Sequence, residues 1–155
     1  MRSEIKLTPD IALDKMRRYC AYQERCHQEV RFKLVAIGVR GDILESILSQ
    51  LIEEGLLNEE RFARAYVRGK FRNNQWGMLK ITKELTRKNI GSHLQKKARE
   101  EIDPDDYQLT LRNLLTHKKS TLFRYPDDVQ KLKLFKYAYQ RGFEPELIYE
   151  LIPLI

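Results

Sequence analysis

The chain has 155 residues, 42% hydrophobic and 33% charged, which is enough apolar material for a packed core and too much for a disordered chain. Seven glycines and five prolines favour helices over a turn-rich β architecture. No stretch approaches the roughly 20 apolar residues of a membrane span. The opening Arg2, Glu4 and Lys6 lead into no apolar run that would mark a signal peptide. We therefore expect a soluble, cytoplasmic protein with no membrane partner.

The net charge of +7 is unevenly distributed along the chain. Residues 1–57 carry nine basic and nine acidic side chains, residues 58–100 carry twelve and four, and residues 101–155 carry eight and nine. All of the excess positive charge therefore lies in the middle third. Such a concentration indicates a polyanion or an acidic protein as the binding partner.

Helix starts and ends are marked by capping residues. The predicted starts are Thr8-Pro9-Asp10, Asn58-Glu59-Glu60 and Glu144-Pro145-Glu146, which combine a cap or a proline with acids at the positive end of the helix dipole. The predicted ends are Gly38, Asn89 and Gly142, residues that tolerate the left-handed conformation closing a helix. The predicted helices run over about 9–24, 28–37, 42–54, 59–73, 78–88, 92–101, 106–119, 127–141 and 145–152.

The three helix ends lie 51 and 53 residues apart, which predicts a repeat. Four apolar columns recur in each copy: Val30, Ile81 and Leu134; Leu34, Leu85 and Ala138; Val39, Ile90 and Phe143; and Ile43, Leu94 and Leu147. No segment alternates long enough to predict a strand. The expected fold is all-α: three tandem three-helix repeats over 1–57, 58–104 and 105–155, forming an elongated or curved array.

Basic side chains recur at helical spacing in the middle repeat, so that they form rows along helix faces. A solvated face usually mixes charges, whereas these rows are nearly uniformly positive. We interpret them as a surface that binds phosphates or carboxylates, although a plain solvated face is the alternative. The candidate residues for binding a partner or DNA are Arg61, Arg64, Arg68, Lys70, Arg72, Lys80, Lys83, Arg87, Lys88, Lys96 and Lys97.

Trp76 lies in the loop between the two predicted basic helices. It could stack on an unpaired base or fill the join between the helices, and the second interpretation is the more ordinary one. Contacts from such a surface to DNA would involve backbone phosphates and be non-specific in sequence.

The sequence offers no catalytic or metal-binding motif. Cys20 and Cys26, even with His27 adjacent, have neither disulfide-framework nor zinc-site spacing. They are typical of reduced thiols in a helical core. We expect no cofactor, no metal and no enzyme activity.

One stretch resembles the RecX family. It runs Gly55-Leu56-Leu57-Asn58-Glu59-Glu60-Arg61-Phe62-Ala63, and continues through Gly77, Ile81 and Lys88-Asn89-Ile90, with Asn89 where the family has glycine. The resemblance covers residues 10–100, and reaches the last third only through the repeat. It implies a cytoplasmic bacterial protein of DNA repair that binds RecA filaments along their groove. Such proteins inhibit the recombinase and its ATP hydrolysis, and have some affinity for DNA.

Three functional hypotheses follow from the sequence. The first is a monomeric modulator of the RecA filament, acting by binding alone, with non-specific contacts to single- or double-stranded DNA. The second is a helical nucleic-acid-binding module that acts independently of RecA. The third is a helical-repeat scaffold for another acidic protein.

Overall fold

The structure, a computed structural model, describes residues 7–155; Arg2, Glu4 and Lys6 lie outside this range. Its helices are α1 Pro9–Tyr22, α2 His27–Ala36, α3 Gly41–Glu53, α4 Glu59–Asn74, α5 Met78–Arg87, α6 Ser92–Arg99, α7 Pro104–Ser120, α8 Asp127–Gln140 and α9 Pro145–Leu151, followed by a 3-10 turn at Ile152–Leu154. The described residues contain no strand, so the all-α prediction is confirmed. Within this range no helix combines the length and the apolar character needed to cross a membrane.

Local caps set several of the helix bounds. The Thr8 hydroxyl accepts a hydrogen bond from the Ile11 amide at 3.2 Å, and the Asn58 side chain accepts one from the Arg61 amide at 2.9 Å. The helix predicted to start at Glu144 lacks such a cap, because the Glu144 side chain makes no hydrogen bond to the first amides of the helix. All three predicted helix ends, Gly38, Asn89 and Gly142, have positive φ angles of 91°, 61° and 96°.

The nine helices of residues 7–155 form three triplets: α1–α3, α4–α6 and α7–α9. Within residues 7–155, the helices that pack most extensively on one another belong to the same triplet. The first three apolar columns of the repeat are buried in every triplet. The fourth column lies outside the core, since Ile43 is 47% exposed and Leu94 and Leu147 are half-buried. The next residue in the chain, Leu44 or Ile148, is buried instead.

The described part of the chain has two separate hydrophobic cores. The first triplet encloses its own core, which includes Cys20, whereas the second and third triplets share one continuous core. Cys26 belongs to this second core although it precedes α2 of the first triplet. Both thiols are buried, and burial raises the pKa of the Cys26 thiol to about 11. Stacking of neighbours therefore builds the core of the last two triplets, while the first triplet packs largely on itself.

A backbone-to-backbone junction connects the second triplet to the third. The Gly77 amide donates to the Arg141 carbonyl at 2.7 Å, and the Leu79 amide donates to the Gly142 carbonyl at 2.8 Å. A Cβ on Gly77 would overlap the Gly142 carbonyl group. The two backbone segments can therefore approach this closely only because both residues are glycines.

Tyr107 adds a buried polar contact to the same junction. Its hydroxyl accepts a hydrogen bond from the Met78 amide at 2.9 Å and donates one to the Glu144 carboxylate at 2.7 Å. Burial raises the pKa of Tyr107, so its hydroxyl keeps the proton that it donates. Three amides at the start of α5, which no residue of α5 itself could satisfy, thus find acceptors in the third triplet.

Side chains, rather than backbone, connect the first triplet to the second. Arg61 on α4 binds the Glu24 carboxylate at 2.5 Å and the Gly55 carbonyl at 2.9 Å. His27 Nδ1 lies 3.1 Å from a carboxylate oxygen of Glu59. Cys26 is the buried residue of the first triplet that packs into the neighbouring core.

We expect Gly142→Ala to destabilise the protein more than Gly38→Ala. Both glycines have φ near 90°, so an alanine at either costs about 1–2 kcal/mol in backbone strain. An added Cβ at Gly142 would lie 2.6 Å from the Lys80 backbone nitrogen, whereas one at Gly38 meets nothing within 4 Å. The overlap adds roughly 1–3 kcal/mol. Urea unfolding followed by circular dichroism measures the difference, and equal losses for the two variants would contradict the junction.

Tyr107→Phe should lower the free energy of unfolding by about 1–3 kcal/mol, because it leaves the buried Met78 amide without an acceptor. Tyr139→Phe is the matched control, since Tyr139 is 51% exposed and an exposed substitution of this kind changes stability by about 0.5 kcal/mol or less. Thermal or chemical unfolding of both variants tests the role of the hydroxyl. A Tyr107→Phe protein as stable as the control would show that this hydrogen bond is dispensable.

Candidate partner and nucleic-acid interface

The arginine row of α4 forms ion pairs within the molecule. Arg64 lies 3.3 Å from Glu100, 3.2 Å from Glu101 and 3.6 Å from Glu60. Arg68 lies 3.1 Å from Glu101. The hydrogen bond from Arg68 holds the pKa of the Glu101 carboxyl below its usual range. This part of the row therefore forms an ionic seam between α4 and the end of α6.

A lysine extends the seam. Lys97 on α6 lies 3.1 Å from Glu60 on α4, and its hydrogen bond lowers the pKa of Glu60. Arg87 pairs at 3.0 Å with Glu84 on the same helix. Apart from the pairs three or four residues apart on one helix, these ion pairs join residues 33 to 37 positions apart in the chain, so local spacing does not reveal them.

The remaining predicted cations have no acidic partner within 4.0 Å among residues 7–155. We call these six side chains the unpaired cations: Lys70, Arg72, Lys80, Lys83, Lys88 and Lys96. Arg72, Lys83 and Lys96 are exposed and the other three are half-buried. Because no carboxylate neutralises these charges locally, they attract phosphates or carboxylates of another molecule.

Trp76 brings two of the unpaired cations together. Its half-buried ring packs against the shared core of the second and third triplets. The ammonium groups of Lys80 and Lys70 lie 4.3 Å and 4.8 Å from the ring centroid, within the range of cation–π attraction. The ring thus lies at the join between α4 and α5 and also orients two lysines.

Arg141 belongs to the same region although it lies in the third triplet. Its guanidinium donates to the Asn74 carbonyl at 2.8 Å and to the Gln75 carbonyl at 3.4 Å. It thereby fixes the loop that carries Trp76. Sequence reasoning missed Arg141 because the charge excess pointed to the middle of the chain, and its position just before Gly142 marks only a helix end.

The turn between α5 and α6 has the general form of a helix-turn-helix motif. The polar side chain of Gln95, however, forms its hydrogen bonds within this turn. Gln95 donates to the Ile90 carbonyl at 2.8 Å and to the Thr86 hydroxyl at 3.0 Å. A side chain held this way is not available to read base edges. Among the described residues, no group of three or more His, Cys, Asp or Glu side chains could hold a metal ion.

Comparison with known proteins gives consistent results. Residues 58–98 match the family model described as RecX, second three-helix domain. Regulatory protein RecX of Prosthecochloris aestuarii is 27% identical over 137 residues, covering 88% of both chains. Its counterpart in Corynebacterium efficiens is 30% identical over 104 residues, covering 67% of this chain and 50% of that relative. The chain thus spans about half the length of some curated relatives that it matches.

Solved structures show the same fold. The crystal structure of RecX from Lactobacillus salivarius superimposes with a TM-score of 0.85 at 20% identity, covering 94% of this chain and 95% of that one. A second crystal structure, of a regulatory protein RecX, gives a TM-score of 0.85 at 23% identity and covers 95% of this chain and 72% of that one. With its sequence relatives, its family-model match and its fold in agreement, the chain belongs to the RecX family of regulatory proteins.

Proposed function

We propose that this chain regulates the RecA recombinase by binding its filament, and that binding inhibits or tunes recombination and the coupled ATP hydrolysis. The chain acts by binding alone and performs no catalysis. Membership of the RecX family supports the proposal. The single observation that carries it is the set of unpaired cations on the second triplet, because they form a surface complementary to an anionic partner.

A RecA filament on DNA is chemically suited to this surface. It presents acidic protein groups and regularly spaced phosphates, both of which attract lysine and arginine. Direct contacts to single- or double-stranded DNA are non-specific, since phosphates carry no sequence information. In this proposal the units 1–57, 58–104 and 105–155 act together as a cytoplasmic monomer, and the middle unit supplies most of the contact.

The second candidate function is nucleic-acid binding independent of RecA. The unpaired cations support it equally well, but the hydrogen bonds of Gln95 disfavour base reading by the turn between α5 and α6. Purified protein added at stoichiometric ratios to RecA with single-stranded DNA distinguishes the two functions. Slower ATP hydrolysis that persists when the DNA concentration is raised supports action on the filament. An unchanged rate, or inhibition that excess DNA abolishes, would contradict it.

Lys80→Glu/Lys83→Glu should weaken inhibition of RecA strongly, because it reverses two unpaired cations on one face of α5. We expect about tenfold more of this variant to be needed for half-maximal inhibition, and a salt slope for duplex binding smaller by about 1 per side chain. ATP hydrolysis and fluorescence anisotropy at several salt concentrations measure the two effects.

The matched control is Lys15→Glu/Arg40→Glu on the first triplet. Both side chains are exposed and without an ion pair in the described residues, and the change in net charge is identical. This variant should inhibit like wild type. Equal losses in the two variants would show that total charge, rather than the α5 face, determines binding.

Glu100→Gln/Glu101→Gln should raise the affinity for duplex DNA, because it releases Arg68 and leaves Arg64 paired with Glu60 alone. With more positive charge available for phosphates, the slope of log affinity against log salt should steepen by up to about 0.9 for each new contact. Asp42→Asn/Glu53→Gln on the first triplet changes the net charge equally and is the control. A released seam that leaves DNA affinity and salt slope at the control values would place the α4 arginines outside the binding surface.

A further inference from the structure

The third triplet carries a stack of three aromatic rings on its surface. The Phe135 and Tyr149 centroids lie 4.9 Å apart with an angle of 19° between the ring planes, and those of Phe135 and Tyr139 lie 5.7 Å apart with an angle of 11°. The nearly parallel rings connect α8 to α9. The outer two are open to solvent, since Tyr149 is 63% and Tyr139 51% exposed.

These outer rings are not needed to build the core. The residues that α8 buries are Leu134 and Ala138, and Phe135 is the ring of the stack that packs half-buried against the core to which they belong. Tyr139 and Tyr149 therefore expose aromatic surface, and polar side chains at these two positions would leave the core intact. A contiguous exposed apolar patch marks an interaction site.

Positive charge lies at both ends of the stack. Lys131, together with Leu132 and Pro153, lines an apolar cleft beside Phe135 and Tyr149. At the other end, Tyr139 lines a groove between α8 and α5 that also contains Lys80, Lys83 and Arg87.

The acid in this groove is already neutralised. Glu84 pairs with Arg87 at 3.0 Å, and Lys80 and Lys83 are unpaired cations. The groove thus joins the aromatic stack to the positive surface of the second triplet.

We infer that the aromatic stack binds unpaired bases of single-stranded nucleic acid, with Tyr139 and Tyr149 stacking on the bases and the backbone phosphates following Lys80 and Lys83. A positive groove with aromatic rings beside it is the arrangement by which proteins hold single strands without sequence preference. Duplex DNA does not fit the site, because its bases already stack on one another. The inference deepens the proposed function and rests on it for the α5 lysines, but it assigns a distinct site and a distinct ligand.

The test uses the full chain without RecA, so it remains informative even if the chain does not act on RecA. Fluorescence anisotropy compares a labelled oligo-dT strand with a duplex of the same length. Tyr139→Leu/Tyr149→Leu keeps apolar bulk but removes the rings. It should weaken oligo-dT binding about tenfold or more, as the loss of base stacking does, and leave duplex binding unchanged. Lys80→Glu/Lys83→Glu should weaken both.

Two controls separate stacking from other effects. Tyr22→Leu/Phe32→Leu removes two exposed rings of the first triplet, 82% and 67% exposed, and should bind oligo-dT like wild type. Tyr139→Phe/Tyr149→Phe retains the rings and should also bind normally, whereas a variant that fails through misfolding would be recognised by its circular dichroism.

Several results would overturn the inference. One is wild-type protein that binds duplex as tightly as oligo-dT, and another is an equal loss for both ligands in Tyr139→Leu/Tyr149→Leu. A third is wild-type protein that sediments as a dimer while this variant sediments as a monomer, because the stack would then be a contact between copies of the chain.

Discussion

The close approach of Gly77 and Gly142 is the constraint on which the proposed binding surface depends. The carbonyl groups of Arg141 and Gly142 reach the first amides of α5 only because neither glycine has a side chain at this point. The hydrogen bonds fix the direction of α5 relative to α8. The face that carries Lys80 and Lys83 therefore keeps a constant position beside Tyr139, and a ligand that contacts both helices meets a preformed site rather than one it must assemble.

The two junctions of the chain differ in their physical character. Buried backbone hydrogen bonds and a continuous core hold the second and third triplets together, so salt has little influence on them. The first triplet is held by Arg61, His27 and one buried thiol, and the ion pair between Arg61 and Glu24 is partly exposed. Dissolved ions screen such pairs over about 8–10 Å at moderate ionic strength. The last two triplets thus share one core, whereas the first contacts them chiefly through side chains.

Local chemistry allowed the helices to be predicted within two residues at each end, because caps such as Thr8 and Asn58 act on their own neighbours. The sequence also correctly predicted that three of the four recurring apolar columns are buried. The sequence also indicated the residue types of the candidate site, but not which cations are paired, since Glu101 lies 37 residues from Arg64. Nothing local distinguishes Gly77 from a loop glycine, because its φ is an ordinary −78°. Contacts between triplets depend on how the helices pack and were therefore outside the reach of pattern analysis.

Each of the two hydrophobic cores contains one cysteine. Cys20 and Cys26 are six positions apart in sequence, yet they lie in different cores. A thiol reacts only when its surroundings open to solvent, so each reports a separate event. We expect modification of Cys20 to follow disruption of the first core, and modification of Cys26 to follow opening of the core shared by the second and third triplets. The protein thus contains, without any labelling, one reporter thiol for each of its two cores.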